Sequence, residues 1–593
     1  DSEQKGFLFF FFSSYRYYRL YATANDAGDE YCRIAEIEGK ERTGGKAEKV
    51  YEIATPYLED EIFDIQFAQD ADMMWLVHPN HKPRELSRTA HANWTLAVYD
   101  PTADPFAVVK NISGATQADP VVVTATAHGY SNGDIVIINE VAGMTQINGR
   151  RFVVTNKTAD TFELYDEQGN SINGTGYDAY VSGGICERVG DGPSCVTIYE
   201  QRLVFANVPN INPQEIWASK SGNYDNMTTG TNDDDALVYI LGTEQVDFIR
   251  WLSSGEILSV GTIGGTFVLS SGDTALPLTP TNVVVRKATT IGCLSIVPKR
   301  LNNFAFYMQR DGKRLRQLSY VEEIGGYSAI DMTLLSEHIL GEDSVVDMDY
   351  QQSPYNMLWI VRGDGVLATM TRLIEQKVTA WARHTTGGNF ESVAVIPQDN
   401  ADDQVWVIVN RTGLGRYIEF LKPVDFGDLE DAYFVDCGLT YDNVPVSTIT
   451  GLWHLEGETV DILADGAVHS SQVVSNGKIT LDEPASVVHV GFNYTSTLKT
   501  LRIEAGSGLG TSMGKIQRIN KIMVKFYKSS GDCKVGIEGS QDTIDCGDSL
   551  FTGNKEMLFP SGYGKEINVL ITKEEPLPLT VLAIVLFMQT FEE

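Results

Sequence analysis

Residues 357–372 read MLWIVRGDGVLATMTR: an apolar run, a turn carrying Gly363-Asp364-Gly365, and a second run that ends Thr369-Met370-Thr371-Arg372. Two short stretches rich in β-branched and aromatic residues about a glycine-bearing turn are the pattern of a β-hairpin. The pattern recurs at 72–88 (DMMWLVHPNHKPRELSR), 202–219 (RLVFANVPNINPQEIWAS), 256–271 (EILSVGTIGGTFVLSS), 305–320 (AFYMQRDGKRLRQLSY) and 405–420 (VWVIVNRTGLGRYIEF). From 202 onward the hairpins start 54, 49, 52 and 48 residues apart. A unit of about 50 residues has room for four strands and matches the period of kelch-like propeller blades, which pack radially and leave only short edges.

One interval breaks the period. The hairpins at 72 and 202 lie 130 residues apart, and setting aside the 76 residues 111–186 restores a spacing of 54. That stretch alternates β runs with Gly-bearing turns, as a small barrel does. The sequence therefore predicts an all-β chain: a propeller-like core interrupted by an inserted, barrel-like module and followed by further β domains. The expected portions are 1–53 as an N-terminal β segment, 54–110 as the first part of the propeller, 111–186 as the insertion and 187–422 as the remaining blades. A β domain over 423–505 and a C-terminal β segment over 506–593 complete the division. The turns Asp465-Gly466 and Asn476-Gly477 mark hairpins in the fifth portion, and the glycine-rich 506–514 marks the last boundary. One short helix is expected over 332–340, capped by Asp331.

At 593 residues the chain is long enough for roughly four domains, and 43% hydrophobic residues exclude a disordered chain. With 79 acidic against 46 basic residues the formal charge is −33, which repels phosphate backbones and anionic membranes on average. Seven cysteines without a paired CxxC predict buried, reduced thiols rather than a disulfide framework or a zinc module. The longest apolar run, 579–588, falls short of the ~20 residues that span a bilayer and reads as a final buried strand. The polar start, residues 1–5, shows no signal peptide.

Several patterns mimic chemistry. Gly129-Tyr130-Ser131-Asn132-Gly133 has the letters of a nucleophile elbow, but DIVIIN at 134–139 reads as a strand where that motif needs a helix. Gly508 to Lys515 fails as a phosphate loop, since Leu509 and Ile516 occupy its ligand-bearing ends. His78 and His81 lie in HPNHKP, where Pro79 and Pro83 favour a turn over the helix that presents two metal-binding histidines on one face. The acidic runs Glu59-Asp60-Glu61 and Asp233-Asp234-Asp235 lack the spaced ligands of a calcium loop and read as solvated loops. No sialidase-type Ser-x-Asp-x-Gly-x-x-x-Trp box is present, and among so many carboxylates proximity in sequence says nothing about a glycosidase pair. No catalytic, cofactor-binding or metal-binding residue is assigned, and the chain is not expected to be an enzyme.

Residues 54–99 (ATPYLEDEIFDIQFAQDADMMWLVHPNHKPRELSRTAHANWTLAVY) resemble the tail nozzle, or tail tubular protein B, of short-tailed bacteriophages. Similar segments follow in order at 309–320, 325–340 (GGYSAIDMTLLSEHIL), 359–372, 416–421 (RYIEFL) and 451–466 (GLWHLEGETVDILADG). The resemblance covers roughly 54–107 and 187–505, while 1–53 and 506–593 match only loosely. What resembles the family's early strand region begins already at 6–18. The insertion resembles the small β domain of phage tail proteins that takes its label from the first catalytic-cysteine half-domain of ubiquitin-activating enzymes. Its only cysteine, Cys186, sits at its trailing edge with Arg188 as the nearest basic residue, so a decorating or docking role is expected rather than thioester chemistry.

The resemblance implies a structural virion protein of the phage tail. It forms a homo-oligomeric ring, usually a hexamer, below the head-to-tail adaptor, docks tail fibres or spikes, and conducts double-stranded DNA without sequence-specific binding. An acidic wall suits that task, because a basic lumen would hold DNA through counterion-releasing contacts. A glycan-binding or polysaccharide-degrading tail protein, and a cellular propeller scaffold, are the rival readings. The first requires a carboxylate pair in an aromatic-lined cleft.

Overall fold

The computed structural model describes residues 8–10, 33–38, 48–90, 92–106, 109–243, 245–272, 276–398, 401–503 and 513–591. The expected boundary at 506–514 and the early segment 6–18 fall largely outside them. The chain divides into two compact units, one holding residues 47–420 together with 1–40, the other 421–593 together with 41–46.

In the first unit every hairpin of the sequence repeat is the middle or closing pair of an antiparallel sheet made from consecutive strands. Blade 1 comprises Gln66–Asp70, Met73–His78, His81–Ala90 and Asn93–Val98. Blades 2, 3, 4 and 5 run from Cys195 to Ile240, Ile249 to Thr289, Lys299 to Asp331 and Val345 to His384, each with four strands. Among the described residues blade 6 has three, Gly388–Ile396, Gln404–Arg411 and Gly415–Phe420.

Successive side chains on a strand point to opposite faces, and here both faces are buried. Trp75 and Val77 of blade 1 pack with Leu203 and Phe205 of blade 2, whereas Val204 and Ile216 of blade 2 pack with Leu252 and Val260 of blade 3. Trp251 joins blade 3 to Tyr307 of blade 4, Phe306 and Met308 join blade 4 to Met348 and Ile360 of blade 5, and Trp359 and Val361 join blade 5 to Val407 of blade 6. The sixth cluster sets Met74, Leu76 and Leu86 of blade 1 against Ile408 of blade 6. Six sheets sharing six clusters, the last returning to the first, are a closed six-bladed β-propeller. This is also why the hairpin strands read as unbroken apolar runs rather than alternating ones.

The insertion is a separate seven-stranded sheet from Lys110 to Arg188. The strands Lys110–Asn111 and Gly114–Ala115 lie at its opposite edges yet are adjacent in sequence. Ile112 N–H donates to Gly184 on one edge and Ser113 N–H to Thr124 on the other, so the chain itself curls the sheet into a barrel. Val123, Val136, Ile138, Phe152, Val154 and Phe162 fill it.

In the second unit, Asp436–Thr450, Lys478–Phe492, Thr459–Ala464 and Ala467–Val473 form one sheet around Leu452, Val460, Ile462 and Val490. The strand Ser496–Lys499 pairs with Leu570–Lys573, so it belongs with the C-terminal sheets rather than with 423–505. The helix expected over 332–340 is confined to Glu337–Leu340. Asp331 caps a turn instead: it ends a strand, is held by Arg314 and Arg316, and its Oδ1 accepts from Thr333 N and Oγ1 at 2.9 and 2.6 Å. The apolar run 579–588 forms the strand Val581–Phe591, but half-exposed rather than buried. Among the described residues no helix is long and apolar enough to cross a membrane.

Because the module encloses its own core, residues 109–190 expressed alone should unfold cooperatively and give dispersed amide resonances. A collapsed, poorly dispersed spectrum would show that blade 1 is needed to fold it.

Candidate functional site: a buried ionic cluster between blade 1 and the inserted module

The hairpin turn at Pro79-Asn80 places His78 opposite His81. The expected turn is present, and strand pairing brings the two imidazole centroids within 5.4 Å of each other. Tyr57 packs edge-on against both rings. Glu61 reaches them from the short 3-10 turn Glu59–Asp64 and is only 2% exposed, so the reading of 59–61 as a solvated loop is corrected at its third residue. Burial of that carboxylate follows from its partners, which satisfy both oxygens. Oε1 accepts from Asn80 Nδ2 at 2.8 Å and Arg151 Nη2 at 2.9 Å; Oε2 accepts from Leu58 N at 3.0 Å and His81 Nε2 at 2.6 Å.

Glu187 closes the other side. Its Oε2 lies 3.3 Å from His81 Nδ1, and its Oε1 accepts from Lys82 N at 3.0 Å, while Arg84 Nη2 donates to both oxygens. Arg151 also pairs with Asp60 at 2.6 Å. Arg151 and Glu187 come from the module, the other partners from blade 1 and the segment before it. In the strands Arg150–Thr155 and Ser182–Arg188, Phe152 and Cys186 point into the barrel, so Arg151 and Glu187 point out of it, where a polar residue is ordinary. Docking on blade 1 is what buries Glu187. Gly192 is part of the same fit: a Cβ there would lie 2.0 Å from the His81 carbonyl oxygen and 2.4 Å from that of His78.

Burial alone would lower the His81 pKa, but its hydrogen bonds to Glu187 and Glu61 and their charges raise it to about 8. Burial, then the His81 charge, pushes His78 down to about 3. Burial would raise both carboxyls, yet the His81 bond, with Arg84 for Glu187 and the histidine charges for Glu61, holds each below the usual carboxylate range. The cluster thus pairs imidazolium and two guanidinium groups with three carboxylates.

Ligand atoms of Glu61, His78 and His81 lie within 4.8 Å of one another, and two histidines with a carboxylate are a zinc donor set. The hydrogen bonds oppose that use. Asn80 N donates to His78 Nδ1, which leaves the proton on Nε2; both His81 nitrogens face carboxylates; and the Arg151 guanidinium already occupies Glu61. The arrangement is an ionic clasp that fastens module to propeller.

The other patterns fall elsewhere. Ser131 lies in a turn whose N–H is bonded to Asp134 Oδ2 at 2.8 Å, followed by the strand Ile135–Ala142. The backbone carbonyls of Asp233 and Asp235 wrap the buried Arg202 guanidinium at 2.7 Å each. Cys186 is buried and its thiol is pushed up to about 12, the reverse of an activated thiolate. Six described cysteines are free thiols, five of them buried. Gly508 to Lys515 lies mostly outside the described residues.

Residues 119–190 match the ubiquitin-activating enzyme E1 FCCH domain. The match covers the barrel apart from its first two strands, Lys110–Asn111 and Gly114–Ala115, and brings no reactive thiol with it. No curated protein matches the chain. Among solved structures, BBS1N in complex with ARL6DN aligns at 10% identity over 61% of this chain and 91% of that one, TM-score 0.27. The Neurospora crassa Pan2 WD40 domain aligns at 8% over 61% and 89%, TM-score 0.27. A Lactobacillus plantarum protein aligns at 11% over 60% and 92%, TM-score 0.25.

Two outcomes follow. A raised His81 pKa contributes stability that is complete below its unfolded value of 6.5 and is lost as pH rises through about 8, worth about 2 kcal/mol. His78 acts oppositely: unfolded it takes a proton below 6.5 while folded it refuses one until about 3, so stability falls as pH drops. Urea midpoints should show His81→Gln flattening the alkaline limb and His78→Gln the acid limb; identical profiles for wild type and His81→Gln would dismiss the clasp. Gly192→Ala should destabilise by roughly 1–3 kcal/mol, because backbone oxygens cannot move aside as a side-chain tip can.

Proposed function

We propose that this chain is a structural protein of a short-tailed bacteriophage tail, a nozzle subunit that assembles as a ring, usually of six copies, below the head-to-tail adaptor. It conducts the genome during ejection and offers docking surfaces for fibres or spikes. The observation that carries the reading is the course of the nozzle-like segments. They run in order through blade 1 (54–99), blade 4 (309–320 and 325–340), blade 5 (359–372), blade 6 (416–421) and on into the second unit (451–466). The likeness follows the framework rather than a single pocket.

Two physical features favour it. Blades locked by shared clusters make a stiff wall, and the barrel module is fastened to that wall by charge pairs rather than tethered by a linker. A formal charge of −33 lets DNA pass without the counterion release that would hold it.

Imaging of phage particles with a label fused to this chain should place it in the distal tail as a six-fold ring. The purified protein should not retain duplex DNA at ~50 mM salt. Turnover of host polysaccharide, abolished by one Asp or Glu substitution, would replace this reading with the enzymatic one.

A further inference from the structure

The C-terminal strand Val581–Phe591 is the outermost of three: it pairs with Ile516–Ser529, which pairs on its other side with Phe551–Leu558. Among the described residues its far edge carries no partner strand. The sequence VLAIVLFMQTF contains no charge and no proline, the devices by which sheet edges are protected from strand addition. Ile584, Leu586 and Met588 pack inward on the core built by Ile522, Val524 and Phe526. Leu582, Val585 and Phe587 are 55%, 42% and 44% exposed, and Leu558 across the sheet is 78% exposed.

Charge distinguishes this sheet from the rest of the chain. Its three strands carry five cations, Arg518, Lys521, Lys525, Lys528 and Lys555, against one carboxylate, Glu556. Lys521 pairs with Glu556 at 2.6 Å and Lys528 with Asp425 at 3.1 Å. Lys555 lies opposite the buried Val524, and Lys525 is exposed on the outward face that carries Phe587. The register lays Phe587, Lys521 and Leu558 side by side across the sheet, with Lys521 Nζ 4.5 Å from the Phe587 ring. An apolar, basic island on a molecule of charge −33 is complementary to the remainder of another copy.

We propose that this face, led by the free edge of Val581–Phe591, is a subunit contact that docks on an acidic surface of a second copy of this chain. The contact is head-to-tail, since a two-fold arrangement would set two basic sheets against each other, and head-to-tail contacts close into rings when the rotation allows. The inference rests on the ring reading above and names its interface.

The full chain, its Val585→Glu/Phe587→Glu variant and its Lys525→Glu variant are compared by sedimentation velocity over a concentration series, with thermal unfolding as the folding control. Wild type should assemble, the double variant should lose association by about tenfold or more, and Lys525→Glu should weaken it at low salt more than at high, with melting unchanged. Assembly of all three proteins alike would overturn this interface and leave the ring standing. A wild type that stays monomeric in solution would overturn both. A monomeric wild type that co-sediments with anionic phospholipid vesicles, while the double variant does not, would assign the face to lipid and overturn the proposal.

Discussion

A sheet of three or four strands cannot bury its two faces by itself, and in this propeller each blade depends on both neighbours for that purpose. Trp75 serves blade 2 while the adjacent Leu76 serves blade 6. A blade removed from the ring would expose both faces at once, so the arrangement is stable only when complete. Closure brings Leu76 to Ile408 across most of the first unit, a long-range contact whose loop entropy grows only slowly with length. Blade 6 makes this closure with three strands, its hairpin at 405–420 supplying both the contact to blade 1 and the contact to blade 5.

Once the ring is fixed, its loops can carry other structures without being part of its core. The barrel departs after blade 1 and returns before blade 2, and its own sixteen-residue core owes nothing to the propeller. What joins the two is polar. A buried charge cluster is a weak source of net stability, because desolvation offsets much of the Coulomb gain, but it tolerates misplacement poorly. Glu187 accepts from a backbone amide and a guanidinium while facing an imidazole, so only one orientation of the barrel satisfies it. The clasp thereby sets direction, as an apolar patch of equal area would not.

The repeat was legible because doubly buried strands leave continuous apolar runs, and these stand out in each of the six hairpins. The flanking strands were not: Val378–His384 and Val284–Thr289 mix apolar and polar residues without a buried face, so they lack the continuous apolar run that marks the hairpin strands. The charge cluster was half visible. His78 and His81 are close in sequence, whereas Glu187 lies 106 residues from His81, in a strand whose alternation assigns it to the barrel exterior. The available signal was HKPR at 81–84, a cluster of cationic and titratable side chains at the head of a blade strand. The run 579–588 misled for another reason. Hydrophobicity reports that a strand wants cover, and it cannot say whether the cover comes from the same chain.

Charge and assembly then impose one condition on each other. On the proposed tail-tube reading, the wall that DNA passes is acidic, and subunits that are acidic all over repel one another; both demands are met only if charge is unevenly placed. In the blades and barrel many cations are held in ion pairs, as Arg84, Arg151, Arg316 and Arg362 are. In the C-terminal sheet Lys521 pairs with Glu556 and Lys528 with Asp425, while Lys525 stands exposed beside uncovered apolar side chains. Desolvating an apolar strip supplies attraction that salt does not screen, while the lysines fix which surface it meets. In the proposed contact, the same excess of carboxylates that disfavours a hold on DNA is the partner that a basic, apolar edge requires.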